Sequence, residues 1–307
     1  MQAVRNIAIL GAGALGGYYA ARFQALPDFS VKVIARGQNA ASLRRDGLVV
    51  NGTPLTLTVC DPDQPQEPVD LIIIALKHHQ LTDALPDLRP FVGPQTIIIS
   101  VLNGLDSEQI IAAAYGWSKV LYCMALGIDG VREGNVITVA NSGKLFIGEA
   151  TNPSYTSRLR LLQTALDQAG LPWETPLDMI RTLWWKFMIN VGINQASAVL
   201  RAPYAVFQES AEARAVMGSL MKEVVTLAKA EQVDLSDQDM VDWNKVLYAL
   251  SPRGKTSMLQ DVEAGRKTEV DIFAGKVVAL GQKHGIPTPA NGMMLNLLRA
   301  LEEMNNL

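Results

Sequence analysis

Six residues near the start of the chain constrain its fold more than any other segment. Gly11-Ala12-Gly13-Ala14-Leu15-Gly16 directly follows the apolar run Asn6–Leu10 and opens a stretch of helical spacing from Gly16 to Leu26. At such a strand-to-helix junction each glycine has a mechanical task. The first permits the tight turn, the second lets the backbone approach a pyrophosphate, and the third lets the helix pack close to the strand. The helix behind the loop presents unpaired N–H groups and the positive end of its dipole, which suit phosphate oxygens. The segment predicts a dinucleotide-binding βαβ unit with Gly11, Ala12, Gly13, Ala14, Leu15 and Gly16 around the cofactor.

The rest of the first half fits that start. Val31–Ala35, Leu71–Leu76 and Thr96–Val101 are short runs rich in β-branched residues, as expected of strands covered on both faces. Gln80–Leu88 and Ser107–Ala114 have helical spacing between them. Val136–Phe146 predicts hairpin strands turning at Asn141-Ser142-Gly143, and Tyr155–Gly170 a helix closed by its final glycine. After Pro172 only helical periodicity remains, over Asp178–Leu200, Ala205–Gln232, Asp237–Leu250, Ser257–Gly265, Glu269–His284 and Ala290–Met304. The expected fold class is α/β: an N-terminal Rossmann-like doubly wound sheet over residues 1–175, followed by an all-helical domain over 176–307. No low-complexity linker separates the halves, which predicts close packing with a ligand cleft between them.

Composition narrows the function. The chain has 307 residues, with 27 Lys+Arg against 30 Asp+Glu, so its net charge of −3 gives no electrostatic reason for nucleic acid or an anionic membrane as partner. Two cysteines and three histidines without zinc spacing exclude a disulfide framework and make a metal site unexpected. The apolar runs are strand-sized and the N-terminus lacks signal-peptide character, so a cytoplasmic protein is expected.

Several polar residues stand where a cofactor or substrate would be held. An acid usually follows the second strand of an NAD site, where it binds the ribose 2′-hydroxyl; Arg36 stands there instead, and a guanidinium suits the 2′-phosphate of NADP. Alternatively Arg36 is a surface residue. Lys77 and Asn103-Gly104 end the third and fourth strands, on the sheet edge where such folds bind ligands. Along Thr182–Leu200, Lys186, Asn190 and Asn194 recur every four residues on a helix otherwise apolar almost all round. Buried amides and an ammonium require partners, from a neighbouring helix or from a small polar ligand. Ser257 and Glu269, taken alone, are a helix cap and a first-turn carboxylate.

Together these residues resemble the 2-dehydropantoate 2-reductase (ketopantoate reductase) family almost end to end. The resemblance rests on the glycine loop, Arg36, Leu76-Lys77, Asn103-Gly104, Lys186-x3-Asn190-x3-Asn194, and Ser257-Met258-Leu259-Gln260-Asp261 with Thr268-Glu269. It implies a two-domain enzyme that uses NADP(H) to reduce a small 2-oxo acid, 2-dehydropantoate, to pantoate. By that resemblance Lys186 and Glu269 are catalytic, with Lys186 the proton donor. Arg36, Lys77, Asn103 and Glu269 join the loop at the cofactor, while Asn103, Lys186, Asn190, Asn194 and Ser257 hold the substrate. A homodimer through the helical domain is compatible with it. Tyr204 and Gly254 stand where the family often has asparagines. That departure keeps open a related 2-hydroxy acid dehydrogenase acting on branched or aromatic 2-oxo acids. A non-catalytic NADP-binding sensor is the other alternative, and it would need neither Lys186 nor Glu269.

Overall fold

The computed structural model describes residues 3–304. The chain divides into two compact units, Met1–Met179 and Ile180–Leu307.

In the first unit, β1 (Asn6–Leu10), α1 (Ala14–Gln24), β2 (Ser30–Ile34) and α2 (Gly37–Asp46) follow in sequence. The short strands β3 (Leu48–Val50), β4 (Thr53–Leu55) and β5 (Thr58–Cys60) come next, then β6 (Val69–Ile74). The main sheet is parallel with order β5-β2-β1-β6-β7, where β7 is Val92–Ser100. The chain reverses its lateral direction between β1 and β6, and a crevice at the carboxyl ends of such strands is where open α/β sheets bind ligands. Side chains alternate between two faces. Ile7 and Ile9 enter one apolar core with Tyr19 and Phe23 of α1, while Ala8 and Leu10 enter a second with Leu88 and Phe91. Burial on both faces, about 1.5–3 kcal/mol for each large side chain, explains the unbroken apolar runs of the sequence.

Several connections differ from expectation. Residues 78–91 form a 3-10 turn, the four-residue helix α3 (Leu81–Ala84) and a second 3-10 segment, Leu85–Phe91, rather than one helix. Pro86 and Pro90 lie in that last segment and remove backbone donors. Helix α4 (Ser107–Tyr115) forms where helical spacing placed it. Beyond it, β8 (Tyr122–Glu133) and β9 (Val136–Gly148) pair antiparallel around a turn at Gly134-Asn135. Asn141-Ser142-Gly143 is therefore not a turn but an irregular stretch within β9, paired to Asp129 and Ile128. The Asn141 side chain accepts from the Gly143 N–H at 3.0 Å, a local bond that bends the strand without reversing it. In a second sheet β9 pairs with β3, which pairs antiparallel with β4 across Asn51-Gly52, both at positive φ. β10 (Trp173–Glu174) also joins β9, and α5 (Ser157–Gln168) is followed by Gly170 at φ +60°.

The second unit is helical. From Ile180 on it holds all but the first residue of α6 (Met179–Ile189), then a π-helical turn at Asn190–Asn194 and α7 (Gln195–Leu200) in one continuous run. α8 (Tyr204–Glu209) and α9 (Ala211–Ala230) are separate helices, since Ser210 caps α9 by accepting from the Ala213 N–H. α10 (Asp237–Ala249), α11 (Ser257–Glu263), α12 (Ala274–His284) and α13 (Pro289–Met304) complete the unit. The expected helix from Glu269 begins only at Ala274, after a 3-10 turn at Val270–Ile272. Among the described residues no helix is long and apolar enough to cross a membrane.

Candidate active site

In the first unit the glycine loop lies at the end of β1. Gly11 has φ +99°, and a Cβ there would fall 2.6 Å from the Ala75 carbonyl oxygen. A Cβ on Gly16 would fall 1.8 Å from the Gly11 carbonyl oxygen. Both glycines are thus demanded by the fold itself. Gly13 is different. Its φ is −69°, and the one protein atom near a Cβ built on it is 4.0 Å away. Neither backbone strain nor protein packing requires a glycine there, so the open space suits close approach by a ligand. Gly13 also caps α1 without a side chain to occupy the helix's first N–H groups. The loop residues present fit a dinucleotide pyrophosphate.

Around the loop, Lys77 follows β6 and donates its backbone N–H to the Gln80 side chain at 3.2 Å. Asn103 and Gly104 follow β7, with Gly104 at φ +98°. Arg36 lies between β2 and α2, and its guanidinium pairs with both Asp87 and Asp63. The hydrogen bonds it donates to these two carboxylates, to Asp87 first, raise the Arg36 pKa above its ordinary value. Sequence reasoning missed Arg132, which lies in the β8–β9 hairpin and donates to the Ala12 carbonyl oxygen inside the loop. Partial burial lowers its pKa. No local motif marks it, because the contact spans 120 residues of chain.

In the second unit Lys186, Asn190 and Asn194 are buried, with exposures of 8%, 9% and 8%. Glu269 is likewise buried at 9%, whereas Ser257 is exposed. The three-residue stripe is not a plain α-helical one, since Asn190 and Asn194 bound the π turn. In an α-helix a residue four on overshoots one 3.6-residue turn, and in the wider π turn it falls short. The two offsets oppose each other, which keeps Asn194 in line with Lys186. Close packing accompanies the π turn: a Cβ on Gly192 would fall 2.5 Å from the Met221 side chain of α9.

Buried hydrogen bonds tie neighbouring segments to that turn. The Gln195 side chain accepts from the Ala274 N–H at 3.0 Å and donates to the Val191 carbonyl at 2.7 Å and to Asn291 at 3.2 Å. Asn291 in turn donates to Glu223 at 2.7 Å. Ser197 donates to the Asn194 carbonyl at 3.1 Å and its hydroxyl meets that of Thr256 at 2.5 Å. Thr256, not Ser257, caps α11 by accepting from the Leu259 N–H at 3.1 Å. The Phe187 ring, next to Lys186, lies 6.5 Å from Phe273, beyond the turn that Glu269 opens. Gln195, Ser197, Thr256 and Asn291 were not singled out from the sequence, where buried amides and hydroxyls look like ordinary helix residues.

The two positions noted for departing from the family meet. Tyr204 donates its backbone N–H to the Gly254 carbonyl at 3.0 Å, and a Cβ on Gly254 would fall 2.9 Å from the tyrosine ring. The aromatic residue and the glycine are thus a matched pair.

Comparison with known proteins identifies the family of the chain. The family model described as ketopantoate reductase PanE/ApbA matches residues 7–152, and its C-terminal counterpart matches 178–302. The 2-dehydropantoate 2-reductase of Aquifex aeolicus (strain VF5) is 24% identical, covering 98% of this chain and 98% of its own. The crystal structure of a PanE/ApbA family ketopantoate reductase from Ralstonia eutropha JMP134 superposes with a TM-score of 0.86 at 26% identity, covering 98% of this chain and all of its own (100%). A D-mandelate dehydrogenase solved with NADH and anilino(oxo)acetate shares the fold with a TM-score of 0.89 at 21% identity, over 98% of this chain and 99% of its own. With family models matched across most of its length, the chain belongs to the ketopantoate reductase family of oxidoreductases.

Proposed function

We infer that this protein reduces a 2-oxo acid to the 2-hydroxy acid with NADP(H), and that 2-dehydropantoate, giving pantoate, is the substrate. The observation that carries the reading is the buried stripe of Lys186, Asn190 and Asn194, which runs from α6 into the π turn; the burial of Glu269 supports it. A bound nicotinamide supplies the hydride for C2. The glycine loop receives the pyrophosphate, Arg36 the 2′-phosphate, and Lys77 and Asn103 further parts of the cofactor, Asn103 also meeting the substrate. Asn190, Asn194 and Ser257 orient the oxo acid through neutral donors. Lys186 donates its Nζ proton to the oxygen at C2 as negative charge develops there, and its own charge stabilises that oxygen. Glu269 acts beside the reacting groups and the cofactor.

The packing of Tyr204 on Gly254 favours a second reading, in which the acyl end of the substrate is branched or aromatic. Initial rates on 2-dehydropantoate, 2-oxoisovalerate and phenylglyoxylate separate the two. A kcat/KM at least about tenfold higher on 2-dehydropantoate supports the first, since one well-placed substrate hydroxyl contact is worth that much. The reverse order replaces it with the second. Absence of turnover on all three, with NADPH still bound, points to the non-catalytic alternative.

A further inference from the structure

We propose that Asp63 and Asp87 set the cofactor preference of this protein by competing with a 2′-phosphate for Arg36. The inference rests on the reading that Arg36 receives the adenosine ribose end of the cofactor. Arg36 follows β2, whose neighbour β1 carries the glycine loop. Its Nε donates to Asp87 at 2.7 Å and its Nη1 to Asp63.

A guanidinium grips a phosphate through one of two edges, Nε with Nη2 or Nη1 with Nη2. Here each edge already carries a carboxylate at one of its nitrogens. Two negative charges around one positive charge also leave the position net negative, which opposes a 2′-phosphate of charge near −2. The cost of that repulsion falls on NADPH and not on NADH, whose ribose is uncharged and offers a 2′-hydroxyl that a carboxylate can accept.

The two acids are not equivalent. The Asp87 side chain is 17% exposed and sits on the proline-flanked 3-10 segment, whereas that of Asp63 is 66% exposed on a loop after β5. Asp63 can swing into solvent when a phosphate arrives. Asp87 is held in place, so it is the stronger determinant.

Titration of cofactor fluorescence gives the Kd for NADPH and for NADH without reliance on turnover, and kcat/KM for both cofactors runs in parallel. Asp87→Asn keeps the shape, removes the charge, and should raise the NADPH:NADH preference about tenfold, the size of one charge-assisted hydrogen bond changing partner. Asp63→Asn should raise it less, and the double variant most, with the Kd for NADH moving little. Thermal melting checks that each variant is folded. A preference that stays within about twofold in the folded double variant, or shifts toward NADH, overturns the proposal. Arg36→Ala tests the reading beneath it. Selective loss of NADPH binding in that variant leaves the competition alone in question, whereas equal binding of both cofactors before and after removes Arg36 from the ribose site altogether.

Discussion

The two units hold their candidate functional groups in opposite ways. In the first, six contiguous residues form the loop, and two of its glycines answer to the backbone: Gly11 to its positive φ and Gly16 to the Gly11 carbonyl. In the second, the groups come from three separated segments, around Lys186–Asn194, Ser257 and Glu269, and buried side-chain bonds from Gln195 and Ser197 link those segments. A site made by backbone geometry tolerates little change in residue size. A site made by side-chain bonding fails by losing polar partners.

Loss of chemistry without loss of fold is the sharpest test of this contrast. Lys186→Ala should lower kcat by roughly 10²–10⁴-fold, the range for a positioned general acid. Alanine is the best helix former and brings no polar group of its own, so the variant should fold and bind NADPH, with a Tm lowered by the buried partner that Lys186 leaves behind. Wild-type reduction should slow at high pH, because a general acid must carry its proton, and the residual activity of the variant should lack that limb. A folded variant with near wild-type kcat would turn the Lys-Asn-Asn stripe into packing alone.

The glycines break the comparison from the other side. Gly16→Ala drives a methyl group into the Gly11 carbonyl and should cost at least about 1–3 kcal/mol of stability, visible as a lower Tm. Gly13→Ala meets no protein atom closer than 4.0 Å, so it should leave Tm almost unchanged while NADPH and NADH binding both weaken about tenfold or more. If Gly13→Ala instead unfolds the unit, its glycine serves the fold after all.

The smallest effects distinguish residues that meet ligand from residues that hold the site. Asn190→Ala and Asn194→Ala should raise KM for the oxo acid about tenfold, with cofactor Kd unchanged, because they remove orienting donors. Gln195→Ala strands the Ala274 N–H and an Asn291 oxygen, so it should cost about 1–3 kcal/mol of stability with a smaller change in KM. The opposite outcome, KM loss at Gln195 and Tm loss at the asparagines, would exchange their roles.

Legibility followed contact range. The parallel strands, the loop and the long helices were readable because their signals are local: β-branched runs, glycine spacing and apolar periodicity. Asn51-Gly52 carried a hairpin signal of the same local kind, yet strands of three residues show too little alternation to be found around it. The Asn141-Ser142-Gly143 turn failed because turn residues specify a local bend, while the pairing of β9 with β8 decides whether the chain reverses there. By residue type Thr256 and Ser257 are equally good caps, and only the Thr256 bonds to Leu259 and Ser197 decide that the cap lies one residue before Ser257.

The sequence by itself determined the order of the units, the glycine loop and the identity of the polar residues at the strand ends and along the buried helix. Those features depend on the chain's own backbone and on neighbours within a few residues. Only the tertiary structure decided that two carboxylates from different segments share Arg36, that Arg132 reaches the loop, that Tyr204 lies on Gly254, and that the lysine and asparagine stripe passes through a π turn pressed against Met221. Each is a meeting of residues far apart in sequence, or a local distortion accompanied by such a meeting. No period or spacing encodes it, because the partners are chosen by packing and electrostatics once the elements have assembled.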